Sequence, residues 1–504
     1  MSNLFLQIFV ALCFLGLVIV LFFEKTDYLT YSVLLIIIAG TVSALLMPEK
    51  VGNIDFFVDS IDWEVVFFLI GMFTIVEVLV DQRIFQEISR RIVNKYKHSY
   101  RKMFYALCVV STLIAALLED LSVAIIFGPI IVMACAQLKI NPTPFLLGMT
   151  ICINLASTLT PFGSAEDVLI VNALDLDFLW FMRWFLLYFI VATLLTLFLL
   201  DKTILKKSLL KKWDQYCSDD VPNYVEEEID TEDVPLPNSL NNASSDDGAE
   251  DASESQETID ESGEGSGEPY VFYTPVEQDT EQSLSDVRVD PKVFKKNLIG
   301  LVVFVVLLIA IPTLYLPCLI SALMFVFMNP VEDGGHKHPS LSYYFKRVDY
   351  KLVFFFMCLF VLVGLMEANK TIKMLEDIII LLNPDHEFVV CVVILLVTSV
   401  LSAFMDNAPV TVIFLPIVSY LITPVVDGGA GMTTGPLIIA FILGLNLGGN
   451  FLPQGSAADM MTLEVARENC VDDLTYKRLF KYGGLFAVIH ILVGIGYLAI
   501  IIFL

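Results

Sequence analysis

Apolar runs of about 20 residues, the length that crosses the hydrocarbon core of a bilayer, recur along this chain at 4–23, 29–47, 178–200, 298–316 and 479–504. They predict an all-α polytopic membrane protein, because only helices and closed barrels satisfy their backbone groups in lipid. Two apolar stretches are broken in the same way. "TPFGSAEDV" (160–168) and "LPQGSAADM" (452–460) put Pro, Gly and Ser where a spanning helix should run on, and each carries a carboxylate.

The breaks belong to a wider repeat. "IDWEVVFFLIGMF" from Ile61 resembles "VDYKLVFFFMCLF" from Val348, an offset of 287, and "AALLEDLSVAIIFGPII" from Ala115 matches "SAFMDNAPVTVIFLPIV" from Ser402 at the same offset. At an offset of 292, "PFLLGMTICINLASTLTPFGSAED" from Pro144 matches "PLIIAFILGLNLGGNFLPQGSAAD" from Pro436. Shared positions include Asn154/Asn446, Pro161/Pro453, Gly163/Gly455, Ser164/Ser456 and Asp167/Asp459. The chain reads as an internal duplication: an N-terminal transmembrane repeat over 1–212, a linker over 213–292 and a C-terminal transmembrane repeat over 293–504.

Charge orients the repeats. Seven Lys and Arg residues between Asp81 and Lys102 mark that loop as cytoplasmic, and the lysines from Lys202 to Lys212 do the same for the start of the linker. The spans then fall near 4–23, 28–47, 61–80, 144–172 and 178–200, with 103–138 a re-entrant hairpin turning at 118–121. An odd number of crossings inverts the second half, whose hairpin lies near 389–424, and puts both termini on the side opposite the linker. Two inverted-topology repeats, each with a re-entrant hairpin and a broken helix, are the pattern of secondary transporters. The first apolar run, lacking a basic start and a small-residue cleavage site, reads as a spanning helix and not as a signal peptide.

Composition changes the picture at one place. Most of the net charge of −26 resides in 218–290, which holds 23 of the 56 acids and one base, Arg288. This Ser-, Gly- and Pro-rich stretch reads as a disordered cytoplasmic linker. The remainder is nearly neutral, and nothing in it suggests a nucleic-acid partner. The nine cysteines occur singly, which fits small buried hydrophobes better than a disulfide framework or zinc site. His336 and His338 read as a loop feature.

The candidate chemistry sits where polar residues interrupt the apolar pattern. Glu119 and Asp120 occupy one expected hairpin tip, Asp406 and Asn407 the other. A carboxylate at the centre of a spanning helix costs about 2.5–3.5 kcal/mol on insertion scales, so these residues are expected to face a protein-lined or watery site. Capping of the descending half-helices is the alternative. At the breaks, Pro161 with Gly163 and Pro453 with Gly455 free backbone carbonyls that can hold a cation, together with Asn154, Ser157 and Thr158, or with Asn446 and Asn450. Ser164 and Ser456 begin Ser-Ala-x-Asp runs of capping-box form, which offers a structural role for Asp167 and Asp459. Six acids, Glu119, Asp120, Glu166, Asp167, Asp406 and Asp459, would repel an anion unless protons or cations neutralise them. Glu77 and Glu367, in the third spans, are pore-facing or interfacial.

These motifs resemble the ion transporter superfamily, which includes citrate and dicarboxylate carriers, arsenite permeases, D-type sodium/proton antiporters and the melanosomal P protein. The resemblance covers nearly everything but the linker. It implies a scaffold domain, a moving transport domain containing both hairpins, an elevator-type motion and a homodimer. It also implies substrate and ion ligands at Glu119, Asp120, Asn154, Thr158, Asp406, Asn407, Asn446 and Asn450, with Na⁺ at Asn154, Asp406, Asn407 and Asn446. Two departures bear on substrate. The Ser-Asn-Thr signature of dicarboxylate carriers is absent from both tips, and Asp167 and Asp459 stand where many relatives have Asn.

The expected function is therefore secondary transport without a cofactor, coupled to Na⁺, H⁺ or both, with a small inorganic or organic ion and membrane lipids as partners. A cation/proton antiporter leads. An ion-coupled carrier of a small anion (citrate or dicarboxylate, arsenite or another inorganic anion) is the alternative. An intramembrane aspartyl protease using Asp120 and Asp406 is a remote third, since no GxGD motif is present, and the chain is read as no enzyme.

Overall fold

Apolar runs separated by polar breaks give a succession of helices on both sides of the acidic segment. The computed structural model describes residues 2–21, 27–205, 289–333, 336–372, 386–405, 407–424 and 431–503. Asp406 and nearly all of the expected linker lie outside them. The first half contains α1 (Ser2–Leu21), α2 (Tyr28–Leu46), the short α3 (Pro48–Val51) and α4 (Ile54–Asp59), then α5 (Trp63–Asp81) and α6 (Ile84–Tyr96). The series continues with α7 (Tyr100–Leu118), α8 (Asp120–Gln137), α9 (Thr143–Ala156), α10 (Ala165–Ala173) and α11 (Phe178–Leu200), which runs on as a π turn, Asp201–Leu205.

The second half contains α12 (Pro291–Ala310) and α13 (Tyr315–Met328), then a two-stranded antiparallel ribbon of β1 (Val331–Asp333) and β2 (His336–His338), followed by α14 (Leu341–Phe345). It ends with α15 (Tyr350–Ala368), α16 (Glu387–Phe404), α17 (Asn407–Ile422), α18 (Thr434–Gly448), α19 (Ala457–Glu468) and α20 (Tyr476–Phe503). Among the described residues, nine helices are long and apolar enough to cross a membrane. The protein is an all-α, multi-pass integral membrane protein.

Local chemistry sets the helix limits. Asp62 caps α5 by accepting from the Glu64 and Val65 N–H groups, and its counterpart Asp349 caps α15 through Lys351 and Leu352. The expected run 298–316 is shifted in the structure. Asp290 accepts from the Lys292 N–H at 2.8 Å and Pro291 occupies the first turn, so α12 starts early. It stops at Ala310 because Pro312 has no N–H to continue it. The basic loop 81–102 contains the unexpected helix α6, which buries Ile84, Phe85 and Val93. Glu87, buried on this helix, accepts from Arg90 twice and from Arg91, each at 2.8 Å. Burial opposes its ionisation, but those hydrogen bonds outweigh the opposition and hold its carboxyl below the usual range. His336 and His338 are exposed on the ribbon. Seven cysteines are buried and free, while Cys470 is disulfide-bonded, contrary to the reading of all nine as packing residues.

Packing exchanges partners between the halves. Helix α5 lies against α13 and α15 against α2; α8 lies against α19 and α17 against α10. Each hairpin, α7–α8 and α16–α17, also packs through its first helix on the broken helix of its own half, α7 on α9 and α16 on α18. At the base of the first hairpin, Arg101 pairs with Asp201, and the Tyr105 hydroxyl donates to the same carboxylate at 3.1 Å.

The α16–α18 contact is close enough to need glycine. A Cβ on Gly448 would stand 2.5 Å from the Ser399 carbonyl oxygen, whereas one on Gly496 in α20 would meet nothing within 4 Å. Gly448→Ala should therefore lower the thermal midpoint of the detergent-purified protein by an overpacking cost of about 1–3 kcal/mol. Gly496→Ala should leave it unchanged or raise it through helix propensity. Equal behaviour of the two variants would refute the close packing.

Candidate functional site

The first hairpin reverses at Glu119, whose φ of 75° is on the left-handed side, a conformation that costs a non-glycine residue about 1–3 kcal/mol. Its carboxylate caps α8, accepting from the Ser122 N–H at 3.1 Å and the Ser122 hydroxyl at 2.8 Å. Asp120 accepts from the Leu121 N–H at 2.7 Å, and the Ser157 hydroxyl lies 3.4 Å from its other oxygen. At the second tip Asn407 opens α17, and the Ser402 hydroxyl bridges the Asn407 side chain and the Leu445 carbonyl of α18. Asp406, the acid expected beside Asn407 at this tip, lies outside the described residues.

Both helix breaks dock on these hairpins. A Cβ on Gly455 would meet the Ser402 and Ala403 carbonyl oxygens at 2.6 and 3.0 Å, and one on Gly163 would meet the Ser157 Cα at 2.7 Å. Thr160, beside Pro161, donates to the Ala116 carbonyl at the end of α7. Thr158 turns back to the Leu155 carbonyl at 2.8 Å and Ser157 to the Gly163 carbonyl at 3.2 Å. In the second break Pro453–Gly455 forms one 3₁₀ turn.

The two capping boxes differ. Ser164 does cap α10, accepting from the Asp167 N–H at 3.3 Å, but Ser456 makes no cap bond and donates instead to Asn154 Oδ1 at 2.8 Å. Both acids reach across to the other half. Both Asp167 oxygens accept from Asn446 Nδ2 at 3.2 Å. Asp459 Oδ1 accepts from Asn154 Nδ2 at 3.1 Å and from the Thr150 hydroxyl at 2.5 Å. The acid of each broken helix is thus held by the matching asparagine of the other half. Asp167 and Asp459 are fully buried, and their side-chain partners are neutral. The second cluster is the larger: Asn154 also donates to Asn450 at 3.0 Å, and Thr462 to Thr150 at 3.2 Å. Within it Asp459 Oδ2 and Asn450 Nδ2 are buried without a hydrogen-bond partner among the described residues.

Between these clasps and α15 lies a cavity of about 40 Å³, lined by Glu119, Asp120, Glu166, Asn407, Ser456 and, from α15, Leu352 and Phe356. The N-terminal ends of α8, α10, α17 and α19 all border it. The acids named from the sequence thus fall in different places. Glu119 and Asp120 reach the cavity, while Asp167 and Asp459 sit behind it in separate clasps. Thr150 and Thr462 were missed by sequence reasoning, although Thr150 stands one turn before Asn154 on the same helix face. Glu77 is half-buried one turn before Asp81, which binds Arg347 and Tyr343 at 3.1 Å; Glu367 is exposed.

Residues 17–444 match the family described as "Citrate transporter". The chain belongs to that family. It is similar to a 46 kDa membrane protein of Mycobacterium leprae, 24% identical over 412 residues that make up 81% of this chain and 79% of the relative. An uncharacterized transporter of Mycobacterium tuberculosis is 22% identical over 435 residues, 86% of this chain and 85% of the relative. The P protein of Sus scrofa is 21% identical over 528 residues, which cover 98% of this chain but 59% of the P protein. The chain is accordingly a membrane transporter.

The exchanged clasps make a sharp energetic prediction. Asn446→Leu and Asn154→Leu should each cost about 1–3 kcal/mol, the desolvation penalty of a buried acceptor left unpaired, and lower the unfolding midpoint in detergent. Adding Asp167→Leu to Asn446→Leu should recover most of the loss. Losses that simply add in the double variant would mean that the two residues are not coupled.

Proposed function

We propose that this family member is an ion-coupled secondary transporter, working as a cation/proton antiporter through an elevator-type motion. One observation carries the reading: two fully buried carboxyl groups, Asp167 and Asp459, accept hydrogen bonds from Asn and Thr side chains and have no cationic partner among the described residues. Burying a charge with neutral partners is costly, so such groups are suited to gaining and losing a proton or a cation as solvent access changes. The cavity beside them, at about 40 Å³, suits an ion or a few waters, whereas organic ligands use pockets of about 300–1,000 Å³.

The elevator reading draws on an asymmetry. Helix α5 packs on α10, and Phe68 meets Phe162 of the first break with ring centroids 6.4 Å apart. The equivalent helix α15 instead borders the cavity through Leu352 and Phe356. A molecule built from two matched halves that is open beside only one of them suits one end state of an alternating cycle. Inverted repeats, a cytoplasmic linker, termini on the opposite face and a homodimeric scaffold belong to the same proposal.

Transport of a small anion is the second reading. The family description supports it, as do the four helix N-termini at the cavity, whose dipoles favour negative charge. The protease alternative has no support from family or relatives.

The test uses the full chain in liposomes loaded with a pH dye, with Na⁺, Li⁺ and K⁺ gradients imposed in turn. Proton flux that follows one cation and falls at least tenfold in Asp459→Asn and Asp167→Asn is expected. No proton response to any cation, with citrate or arsenite uptake in the same vesicles, would replace the antiporter by the anion carrier.

A further inference from the structure

Away from the transport site, the first turns of α12 carry a second feature. Lys292, Lys295 and Lys296, with Ile299 and with Met328 at the end of α13, line an open groove of about 330 Å³. Its floor is fixed. Asn297 and Asn329 donate to each other's side-chain oxygens at 3.1 and 2.8 Å, locking α12 to the residue that ends α13. Lys296 donates to the Met328 carbonyl, and Tyr344 to the Asn329 carbonyl at 3.2 Å. Arg91 of α6 stacks 3.9 Å above the Phe294 ring, sharing its charge with Glu87. Asp290, which caps α12, accepts from the Lys292 N–H beside the groove.

The decisive pattern is the stripe that leaves this groove. Lys292, Lys295, Ile299, Val302 and Val306 follow one another at three- and four-residue steps, so they share a face of α12. Along that face the side chains change from cationic to apolar within one turn, and the apolar part is open: Val302 is 60% and Val306 56% exposed. Phe327 of α13, beside Met328, is 68% exposed. A free phosphate would use only the lysines. The acidic segment preceding α12 would likewise use the charges and leave the apolar stripe bare. An amphiphile with an anionic head and hydrocarbon chains matches both parts of the face at once.

We propose that this groove is a binding site for an anionic phospholipid, its headgroup phosphate on Lys292, Lys295 and Lys296 and an acyl chain along Ile299, Val302 and Val306. The site stands apart from the cavity of the hairpin tips and does not depend on which ion the protein carries.

The experiment reconstitutes the full chain in nanodiscs of phosphatidylcholine with one fifth phosphatidylglycerol of the same acyl chains, extracts it into mild detergent and counts retained lipids by native mass spectrometry. The wild-type protein should retain phosphatidylglycerol over phosphatidylcholine by at least tenfold relative to the bulk ratio. K292Q/K295Q/K296Q should lose that preference, and K292R/K295R/K296R should keep it, showing that charge is what is read and that the substituted groove still folds. Inorganic phosphate at millimolar concentration should not displace the lipid; displacement would reassign the groove to a free anion. Equal retention by wild type and the glutamine variant would overturn the proposal. So would phosphatidylglycerol binding that appears only when Asp246, Asp247, Glu250, Asp251 and Glu254 are amidated in the full-length chain, since the acidic segment would then be the occupant.

Discussion

The exchanged hydrogen bonds Asn154–Asp459 and Asn446–Asp167 constrain the rest of the molecule. An acid at membrane depth needs donors, and here each donor comes from the half that does not contain the acid. For the bonds to form, both broken helices must cross near one another, which brings the hairpins with them. The hairpins can follow only if the break loops sit flat against their ends; Gly455 permits that approach in the second half, while Gly163 lets the first loop fold tightly onto Ser157. The gathering of four helix N-termini around one cavity is then a geometric result of pairing the acids.

The two halves use matching residues unequally. Ser164 caps its helix, while Ser456 gives up its cap to hold Asn154. Asp167 has both oxygens engaged by one amide, whereas Asp459 accepts from Thr150 and Asn154 through one oxygen, in a chain that runs on to Thr462, and its other oxygen has no partner among the described residues. The two matching breaks thus hold their acids with different sets of partners.

Much of this architecture was legible in the residues. Pro and Gly inside apolar runs have few meanings in a membrane, and the constant offset between Asn154, Asp167 and their partners exposes the duplication. The hairpin turns fell between Leu118 and Asp120 and before Asn407 because polar residues there interrupt otherwise continuous helices. Other features could not be read. Which asparagine serves which aspartate depends on how the halves cross, and no local pattern encodes that. The pairing of α15 with the cavity through Leu352 and Phe356 is a choice among equally apolar faces. Helix α6 is a different case: Ile84, Ile88 and Ile92 recur every fourth residue, a periodicity hidden by the attention its basic residues draw. The ribbon at His336–His338 has no apolar pattern to announce it.

The exchange of donors also has a bearing on biogenesis. Asn446 lies 279 residues beyond Asp167, so at synthesis rates of about 5–20 residues per second the first acid waits roughly 15–55 s for its partner. During that interval the N-terminal half sits in the membrane with a buried carboxyl group and no amide to receive it. The nascent half must therefore hold Asp167 protonated, keep its broken helix near the interface, or remain with an insertion factor until the second repeat arrives. Quality control that recognises an unpaired acid in the bilayer would act in that window, and a chain truncated before α18 would be its natural target.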